Sequence, residues 1–303
     1  MDSGLSSNKP TAQASNQLAR AVAAVAASDG DYATAIPSLL LYRRKAPTEP
    51  LPCIYHLGLA VVAQGGKRVL LDEEVIDYGP GQALLTTVDL PVISHVTRAS
   101  VHEPVLALVL TLDALDIAQV AAEMRLPPPR RPSGRSIAVE RLDAPLMEAL
   151  VRLVNLLAEP ALVPQLAPLI QREITVRLMA GPHGPRLQHL ALNGSPGQQI
   201  AKAVVWLKQN FKQPLNMNEF AARAHMSPST FRQHFRSITG TSPLQYQKQL
   251  RLQEARQMML SQNIDAGRAG GLVGYESPSQ FSREYSRLFG ASPREDVRRM
   301  RLA

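Results

Sequence analysis

The 303-residue chain has one cysteine, few aromatic residues and no apolar run long enough to cross a membrane. The single cysteine, Cys53, excludes an intramolecular disulfide framework and a zinc site built from several cysteines. Aromatic residues make up only 5% of the chain, which disfavours RNA binding through stacked bases. The apolar run at residues 105–112 is far shorter than the roughly 20 residues of a transmembrane helix. We therefore expect a soluble, cytoplasmic protein that does not enter a membrane.

The sequence also lacks the short motifs of the common enzyme classes. It contains no G-x-S-x-G, H-E-x-x-H or P-loop pattern, and no G-x-G-x-x-G after a predicted strand. His56, His95 and His102 are scattered, and His225 and His234 have no partner at ligand spacing. We expect no catalytic residues, no cofactor and no metal. An enzyme remains the second hypothesis, because a barrel with His and Asp residues is able to host catalysis, and an RNA-binding or architectural protein is the third.

Positive charge is concentrated in the last third of the chain. Residues 196–303 contain 16 Lys and Arg against 7 Asp and Glu, a formal charge of +9. Residues 1–195 contain 17 against 18, a formal charge of −1. A basic domain joined to a neutral one is typical of proteins that bind nucleic acid. Charge alone leaves open the alternative of a solvated basic surface.

The pattern of apolar and turn residues divides the chain into four parts. Residues 1–35 are expected to form a flexible tail, up to about residue 16, and a short amphipathic helix. Residues 36–180 begin with several short predicted strands, which favour an antiparallel barrel or sandwich. These strands are predicted at residues 54–63, 68–71, 74–78, 82–88 and 105–112. Residues 181–197, with four glycines and three prolines, are the predicted linker to a domain at residues 198–303.

Two predicted helices follow these strands. Apolar residues recur at helical spacing in the first of them, and a second apolar helix is predicted at residues 166–179. The stripe of the first helix consists of Leu146, Leu150, Leu153, Val154 and Leu157. Such a stripe either packs against the protein's own sheet or forms the seam of a homodimer, and the sequence leaves both alternatives open.

The C-terminal domain contains an internal repeat at an offset of 50 residues. Residues 226–243 and 276–293 are identical at seven of 18 aligned positions, which indicates one structural unit used twice. In each copy a serine followed by proline is placed to begin a helix, and a glycine followed by Ser-Pro is placed to end it. A short helix precedes the capped helix. Residues 216–239 and 264–289 are therefore predicted helix-turn-helix units.

The angular positions within each capped helix separate an apolar face from a polar one. The inward residues are Phe231, Phe235 and Ile238 in the first unit and Phe281, Tyr285 and Leu288 in the second. The outward residues are Ser229, Arg232, Gln233 and Arg236 in the first unit and Ser279, Gln280, Ser282, Arg283 and Arg287 in the second. Arg and Gln side chains can bind base edges in a major groove, and Ser can bind bases or phosphates. The outward faces are the candidate DNA-binding surface.

Two stretches resemble the C-terminal DNA-binding domain of AraC/XylS-type transcription regulators. They are ITGTSPLQYQKQLRLQEARQMML, at residues 238–260, and VGYESPSQFSREYSRLFGASP, at residues 273–293. The resemblance implies an all-α domain of seven helices with a long connecting helix at about residues 243–261. It implies base-reading positions at Ser229, Thr230 and Gln233 in the first unit and at Ser279, Gln280 and Arg283 in the second. The expected partner is double-stranded operator or promoter DNA, with RNA polymerase as a further partner.

The N-terminal part resembles the N-terminal domain of one AraC-type subgroup. The stretches that carry this resemblance are IPSLLLYRRKAPTEP, VVAQGGKRVLL, DLPVISHVTRAS and EPVLALVLTLD. The resemblance implies an α+β protein in which a cupin-like β-barrel binds a small effector and is followed by dimerising helices, and hence a homodimer. Four basic residues are candidates for binding an anionic effector, namely Arg43, Arg44, Lys67 and Arg68. The whole chain is thus expected to be a sequence-specific, effector-controlled transcription regulator.

The second helix-turn-helix unit departs from the family pattern. Its first helix contains Gly267, Gly270 and Gly271 where the family has helix-forming residues. Each glycine costs roughly 0.5–1 kcal/mol relative to alanine inside a helix. The second unit is therefore expected to be less rigid than the first, unless the glycines permit close helix packing.

Overall fold

The computed structural model describes residues 9–126, 135–192 and 194–302. Residues up to 192 form two β-sheets with helices packed on one of them, and the residues that follow form helices only, so the chain is an α+β protein. The strands are β1 (Gly30–Ala33), β2 (Leu39–Arg44), β3 (Leu51–Tyr55), β4 (Gly58–Gln64), β5 (Gly66–Leu71), β6 (Glu74–Tyr78), β7 (Gln82–Thr86), β8 (Leu90–Arg98), β9 (Val105–Thr111) and β10 (Ile137–Arg141).

The strands form two facing antiparallel sheets. One sheet has the order β1-β2-β9-β4-β7-β10, and the other has the order β3-β8-β5-β6. Val62 on β4 and Val92 on β8 belong to one hydrophobic core between the sheets. No strand pair in the described residues joins the two sheets edge to edge. The predicted cupin-like β-barrel is therefore not closed, and the prediction is wrong on this point. The two sheets form an open sandwich.

The predicted strand at residues 54–63 is in fact two strands of different sheets. β3 ends at Tyr55 and β4 begins at Gly58, so the chain crosses between the sheets at residues 56–57. A Cβ at position 58 would lie 2.7 Å from the carbonyl oxygen of Leu110, so this close pairing with β9 requires glycine. The continuous apolar run hides the crossing, because both strands carry buried residues. Strands β1, β2, β8 and β10 were also not predicted.

Helices cover the outer face of the six-stranded sheet. They are α1 (Lys9–Val25), α2 (Ala114–Met124), α3 (Ala144–Asn155), α4 (Val163–Ala180) and α5 (Gly184–Ala191), with short 3₁₀ turns at Leu156–Ala158 and Pro160–Leu162. Leu18 of α1 and Leu150 of α3 are fully buried in one cluster with Leu59 of β4. Leu146, Leu153 and Val154 lie in the same cluster. The apolar stripe of α3 therefore packs within the protein's own core and is not a dimer seam.

Two boundaries of the N-terminal domain differ from the predictions. α1 begins at Lys9, so residues 9–16 are helical and do not belong to a flexible tail, and Ser15 Oγ donates a hydrogen bond to the carbonyl of Ala63 at 3.1 Å. The remainder of the predicted tail, residues 1–8, lies outside the described residues. The predicted linker contains α5, whose Leu187 is fully buried. Its proline lies in the first helical turn, where proline is tolerated. The glycine and proline content of the segment therefore wrongly indicated a linker without a helix.

The C-terminal domain consists of α6 (Pro196–Asn210), α7 (Met217–Arg223), α8 (Pro228–Thr239), α9 (Pro243–Ser261), α10 (Ala266–Leu272), α11 (Pro278–Phe289) and α12 (Pro293–Leu302). The side chains of Ser227 and Ser277 accept hydrogen bonds at the N-termini of α8 and α11, as predicted. Gly240 and Gly290 end these helices with φ angles of 78° and 73°, in the left-handed region that favours glycine. The bounds of the predicted connecting helix match those of α9.

The first helix-turn-helix unit shares its hydrophobic core with the four-stranded sheet. Phe231 and Phe235 of α8 and Tyr246 of α9 lie in one cluster with Leu71 of β5. The second unit has a separate core that includes Phe281 of α11. The first unit is therefore joined to the N-terminal domain by buried apolar contacts, whereas the second is joined to it through α9 and through contacts of α11 with β3.

Asp89, between β7 and β8, adds polar contacts to the domain interface. Its Oδ2 atom lies 2.6 Å from Lys208 Nζ of α6 and 3.0 Å from His56 Nδ1. Its carbonyl oxygen accepts a hydrogen bond of 2.6 Å from the hydroxyl of Tyr246. Burial opposes ionisation of Asp89, but hydrogen bonds from His56 and Lys208 outweigh it and hold the pKa of the carboxyl below its usual value. One charged side chain thus contacts both domains.

The two adjacent glycines of α10 have different surroundings. A Cβ at position 270 would meet the ring of Phe281 at 3.0 Å, whereas a Cβ at position 271 would have no neighbour within 4 Å. Gly270 therefore permits close packing of α10 on α11. Gly271 has no such role.

We expect Gly271→Ala to raise the free energy of unfolding and Gly270→Ala to lower it. Alanine gains roughly 0.5–1 kcal/mol over glycine inside a helix. At position 270 this gain is opposed by overpacking against Phe281, which costs roughly 1–3 kcal/mol. Urea unfolding of the full chain measures both variants. Stabilisation by both substitutions would contradict the packing role of Gly270.

Candidate nucleic-acid interface and ligand cavity

The outward face of α8 presents the polar residues expected of a reading helix. Phe231 and Phe235 are fully buried beneath it. The predicted residues on the other face are all exposed, namely Ser229, Thr230, Arg232, Gln233 and Arg236. The hydroxyls of Ser229 and Thr230 lie 3.0 and 2.9 Å from the capping Ser227 Oγ, so both are held at the N-terminus of the helix. The beginning of a reading helix is the part that contacts base edges in helix-turn-helix complexes.

The outward face of α11 is built in the same way. Ser279, Gln280, Arg283 and Arg287 are exposed, while Phe281 and Tyr285 are buried. Gln280 Nε2 donates a hydrogen bond of 3.1 Å to Glu284, which also forms an ion pair with Lys248 of α9 at 2.7 Å. These contacts restrain Gln280, whereas the first unit has no comparable restraint on Gln233 in the described residues.

Four arginines on the two faces have no acidic partner in the described part of the chain. They are Arg232, Arg236, Arg283 and Arg287. Other arginines in the described residues, such as Arg68, Arg172 and Arg256, form ion pairs, whereas the positive charge of these four is not neutralised by a neighbouring carboxylate. Guanidinium groups bind phosphate oxygens and guanine edges with paired hydrogen bonds. The two faces are therefore suited to a nucleic acid duplex.

The long helix α9 fixes the second unit through a buried ion pair that sequence reasoning missed. Arg256 donates from Nε and Nη2 to the two carboxylate oxygens of Asp296 on α12, at 2.8 and 2.7 Å. The hydroxyl of Tyr285 donates to the same carboxylate at 2.7 Å. Both charged side chains are less than a tenth exposed. Such a pair orients helices strongly, since removing one partner leaves an uncompensated buried charge.

A cavity of about 760 Å³ lies between the two sheets of the N-terminal domain. Residues from β2, β3, β5 and β8 line it, including Tyr42, Cys53, Tyr55, Lys67 and Ser94. Met300 of α12 also contributes to its wall, so the cavity reaches the C-terminal domain. Most of the lining is apolar, which is typical of small-molecule sites.

Lys67 supplies the positive charge in this cavity. Its Nζ atom lies 5.5 Å from the ring centroid of Tyr42 and 5.9 Å from that of Tyr55, and it has no acidic partner among the described residues. Burial raises the pKa of Cys53 to about 11, so the thiol beside it stays neutral. The hydroxyls of Tyr55 and Ser94 are hydrogen-bonded to each other at 2.8 Å. An anionic group near Lys67 would meet one cation and neutral hydrogen-bond donors.

The structure separates the four predicted effector residues into two pairs. Lys67 and Arg44 line the cavity, although Arg44 is paired with Asp31. Arg43 points to the helical side and donates to the carbonyl of Ala26 at 3.1 Å. Arg68 lies on the outer face of β5 in an ion pair with Asp77. Strand alternation explains the split, because neighbouring residues face opposite sides of a sheet. No pattern in the sequence indicated that Tyr42 and Tyr55 line this cavity.

The described residues contain neither a metal-binding cluster nor a membrane-spanning helix. No three His, Cys, Asp or Glu side chains are grouped so that they could hold a metal ion there. None of the helices described is both long and apolar enough to span a bilayer. The polar helix faces and the cavity are thus the features that a function must explain.

Comparison with protein families matches both halves of the chain. The N-terminus of AraC-type transcriptional regulators matches residues 35–186, which is half of the chain, and a helix-turn-helix domain matches residues 220–299. The chain belongs to the AraC family of transcriptional regulators. This family is one of DNA-binding regulators, which favours that hypothesis over an enzyme or an RNA-binding protein.

Individual AraC-type relatives match mainly over part of their length. The HTH-type transcriptional regulator ArgR of Pseudomonas aeruginosa is 30% identical over 133 residues, which is 44% of this chain and 40% of ArgR. The RCS-specific transcriptional activator RclR of Escherichia coli is 39% identical over 85 residues, which is 28% of this chain and 30% of RclR. The matches thus span well under two thirds of these curated relatives.

A solved structure has a similar fold over most of the chain. ToxT from Vibrio cholerae, crystallised with an unsaturated fatty acid, superposes with a TM-score of 0.61 over 86% of this chain and 94% of its own. The sequence identity is 9%, so the likeness concerns the fold. The order of a β-rich domain followed by a helical domain is common to both.

Proposed function

We propose that this AraC-type regulator binds a specific operator through α8 and α11, and that a small anionic effector in the cavity controls the binding. The observation that carries the proposal is the duplicated capped helix, whose polar face in each copy carries two arginines without an acidic partner in the described residues. Two such helices on one domain are able to enter successive major grooves on one side of a duplex. The regulator is proposed to act in the cytoplasm, with RNA polymerase as a further partner.

The effector is proposed to combine one anionic group with an apolar body. Lys67 is the unpaired cation of the cavity, and the surrounding walls are mainly apolar. ToxT structures are described with an unsaturated fatty acid and with a naphthalenyl butenoic acid, which are both of this chemical class. A ligand of this class would place its carboxylate near Lys67 and its apolar part between the sheets.

The regulator is further proposed to act as a homodimer through α4. The stripe of α3 is buried, but α4 and the 3₁₀ turn before it expose another apolar face. This face consists of Leu162, Leu166, Leu169 and Val176, of which Leu169 is 65% exposed. A second copy of the chain is the proposed occupant, because the family resemblance implies dimerisation through helices of this domain.

Substitution of the reading residues is expected to change sequence discrimination. Gln233→Ala and Arg283→Ala should each relax base preference at separate positions of the operator, about one helical turn apart, and cost roughly 1–3 kcal/mol of binding to the preferred sequence. Binding of the full chain to variants of its own upstream DNA measures this effect. Arg68→Ala, which alters an exposed arginine of the N-terminal domain, is the control. Equal loss of affinity for all sequences would indicate phosphate contacts instead.

Removal of the cavity charge is expected to abolish stabilisation by an anionic ligand. Decanoate and 1-naphthoate should raise the Tm of the wild type, and the uncharged decanol should raise it less. Lys67→Met should lose the response to the two anions. Arg68→Met, the neighbouring change on the opposite face of β5, should keep it. No response of the wild type to either anion would refute this effector class.

Placing a charge on the exposed face of α4 is expected to yield monomers. Leu169→Asp puts an ionised group where the proposed partner helix lies. Leu115→Asp, which changes a leucine of α2 that is still more exposed, is the control. Sedimentation velocity gives the mass of each variant. A wild type that is already monomeric at micromolar concentration would contradict the proposed dimer.

A further inference from the structure

A recess of about 590 Å³ lies where the N-terminal domain meets the outward face of α8. Arg232, Gln233, Arg236 and Ser237 of α8 form one side of it, and Arg135 forms the other. Arg135 belongs to the N-terminal domain, two residues before β10. A residue outside the helix-turn-helix domain therefore borders the candidate DNA-reading surface.

Backbone hydrogen bonds fix the position of Arg135 beside the last turn of α8. The neighbouring Ser136 donates from its backbone N–H to the carbonyl of Ile238 at 3.2 Å, and its hydroxyl donates to the same oxygen. The carbonyl of Ser136 in turn accepts the backbone N–H of Thr87, at the end of β7, at 2.8 Å. The backbone next to Arg135 is thus anchored to the last turn of α8.

The recess collects more positive charge than the described residues neutralise. Arg232 and Arg236 have no acidic partner there, and Arg135 forms an ion pair with Glu74 of β6. Both contacts of Arg135, with Glu74 and with the carbonyl of Leu71 at 3.4 Å, are made by Nη1. Nε and Nη2 of Arg135 have no partner in the described chain. Guanidinium groups that share one recess repel each other unless an anion lies between them.

We propose that Arg135 contacts a phosphate of the bound DNA, so that the N-terminal domain contributes directly to the operator-binding surface. The proposal rests on the proposed function, in which α8 enters the major groove. The phosphates run along both sides of that groove, and residues beside a reading helix face them. Arg135 lies beside the last turn of α8, next to Arg236. One phosphate in the recess would bind guanidinium groups from both domains.

Substitutions of Glu74 and Arg135 are expected to change the affinity for DNA in opposite directions. Its carboxylate competes with a phosphate for Arg135, and it also repels the DNA. If Arg135 binds DNA, loss of the Arg135 charge weakens binding and loss of the Glu74 charge strengthens it. If the ion pair only stabilises the β5–β6 hairpin, removing either charge weakens DNA binding.

The experiment compares Arg135→Gln, Arg135→Lys, Glu74→Gln and the control Arg68→Gln in the full chain. Fluorescence anisotropy gives the Kd for the protein's own upstream DNA and for a scrambled duplex of equal length, over a range of KCl concentrations. Arg135→Gln should weaken both complexes roughly tenfold at low salt. It should reduce the slope of log Kd against log salt by about 0.9. Arg135→Lys should retain that slope, Glu74→Gln should tighten binding, and Arg68→Gln should match the wild type.

The possible failures are distinguishable. In the first case, the wild type prefers its upstream DNA, and Arg135→Gln has the same affinity and the same salt slope as the wild type. This result overturns the phosphate contact and leaves the proposed function intact. In the second case, Arg135→Gln and Glu74→Gln both bind DNA more weakly and the salt slope is unchanged. The ion pair then only stabilises the β5–β6 hairpin, and the phosphate contact is overturned. A wild type that does not distinguish its upstream DNA from the scrambled duplex contradicts the proposed function, and the contact with it.

Discussion

The apolar core shared by the first helix-turn-helix unit and the four-stranded sheet is the constraint on which the arrangement of the two domains depends. Phe231 and Phe235 pack with Tyr246, whose hydroxyl also donates to the carbonyl of Asp89. Full burial of each aromatic side chain contributes roughly 1.5–3 kcal/mol. Separating the domains would expose part of this surface and leave Asp89 without Lys208. The position of α8 is therefore a property of the whole chain.

The second unit is held in a different way. Its core is separate from that of the first unit, and Leu252, Ala255 and Met259 of α9 contribute to it. The buried ion pair of Arg256 and Asp296 adds directional hydrogen bonds between α9 and α12. The position of α11 relative to α8 thus depends on α9, through apolar packing and through this ion pair.

Local signals in the sequence predicted the C-terminal domain well. The serine caps, the glycine C-caps and the bounds of α9 all follow from short-range rules, and the structure agrees with them. The N-terminal domain was harder, because the crossing at residues 56–57 and the open edges of the sheets depend on contacts far apart in sequence. The strand predicted at residues 68–71 left Lys67 outside it, so the alternation that places Lys67 and Arg68 on opposite faces of β5 was not evident. The ion pair of Arg256 and Asp296 joins residues 40 positions apart and had no local pattern.

Strand β5 connects the cavity to α8 within a single element. Lys67, in the cavity wall, and Leu71 are four residues apart on the same face of this strand, a span of roughly 13 Å. A Cβ at Gly240, which ends α8, would meet Leu71 Cγ at only 3.0 Å. Backbone hydrogen bonds to β6 and β8 hold β5 in register along its length. The cavity wall and the surface against which the C-terminal end of α8 packs are therefore parts of one rigid strand.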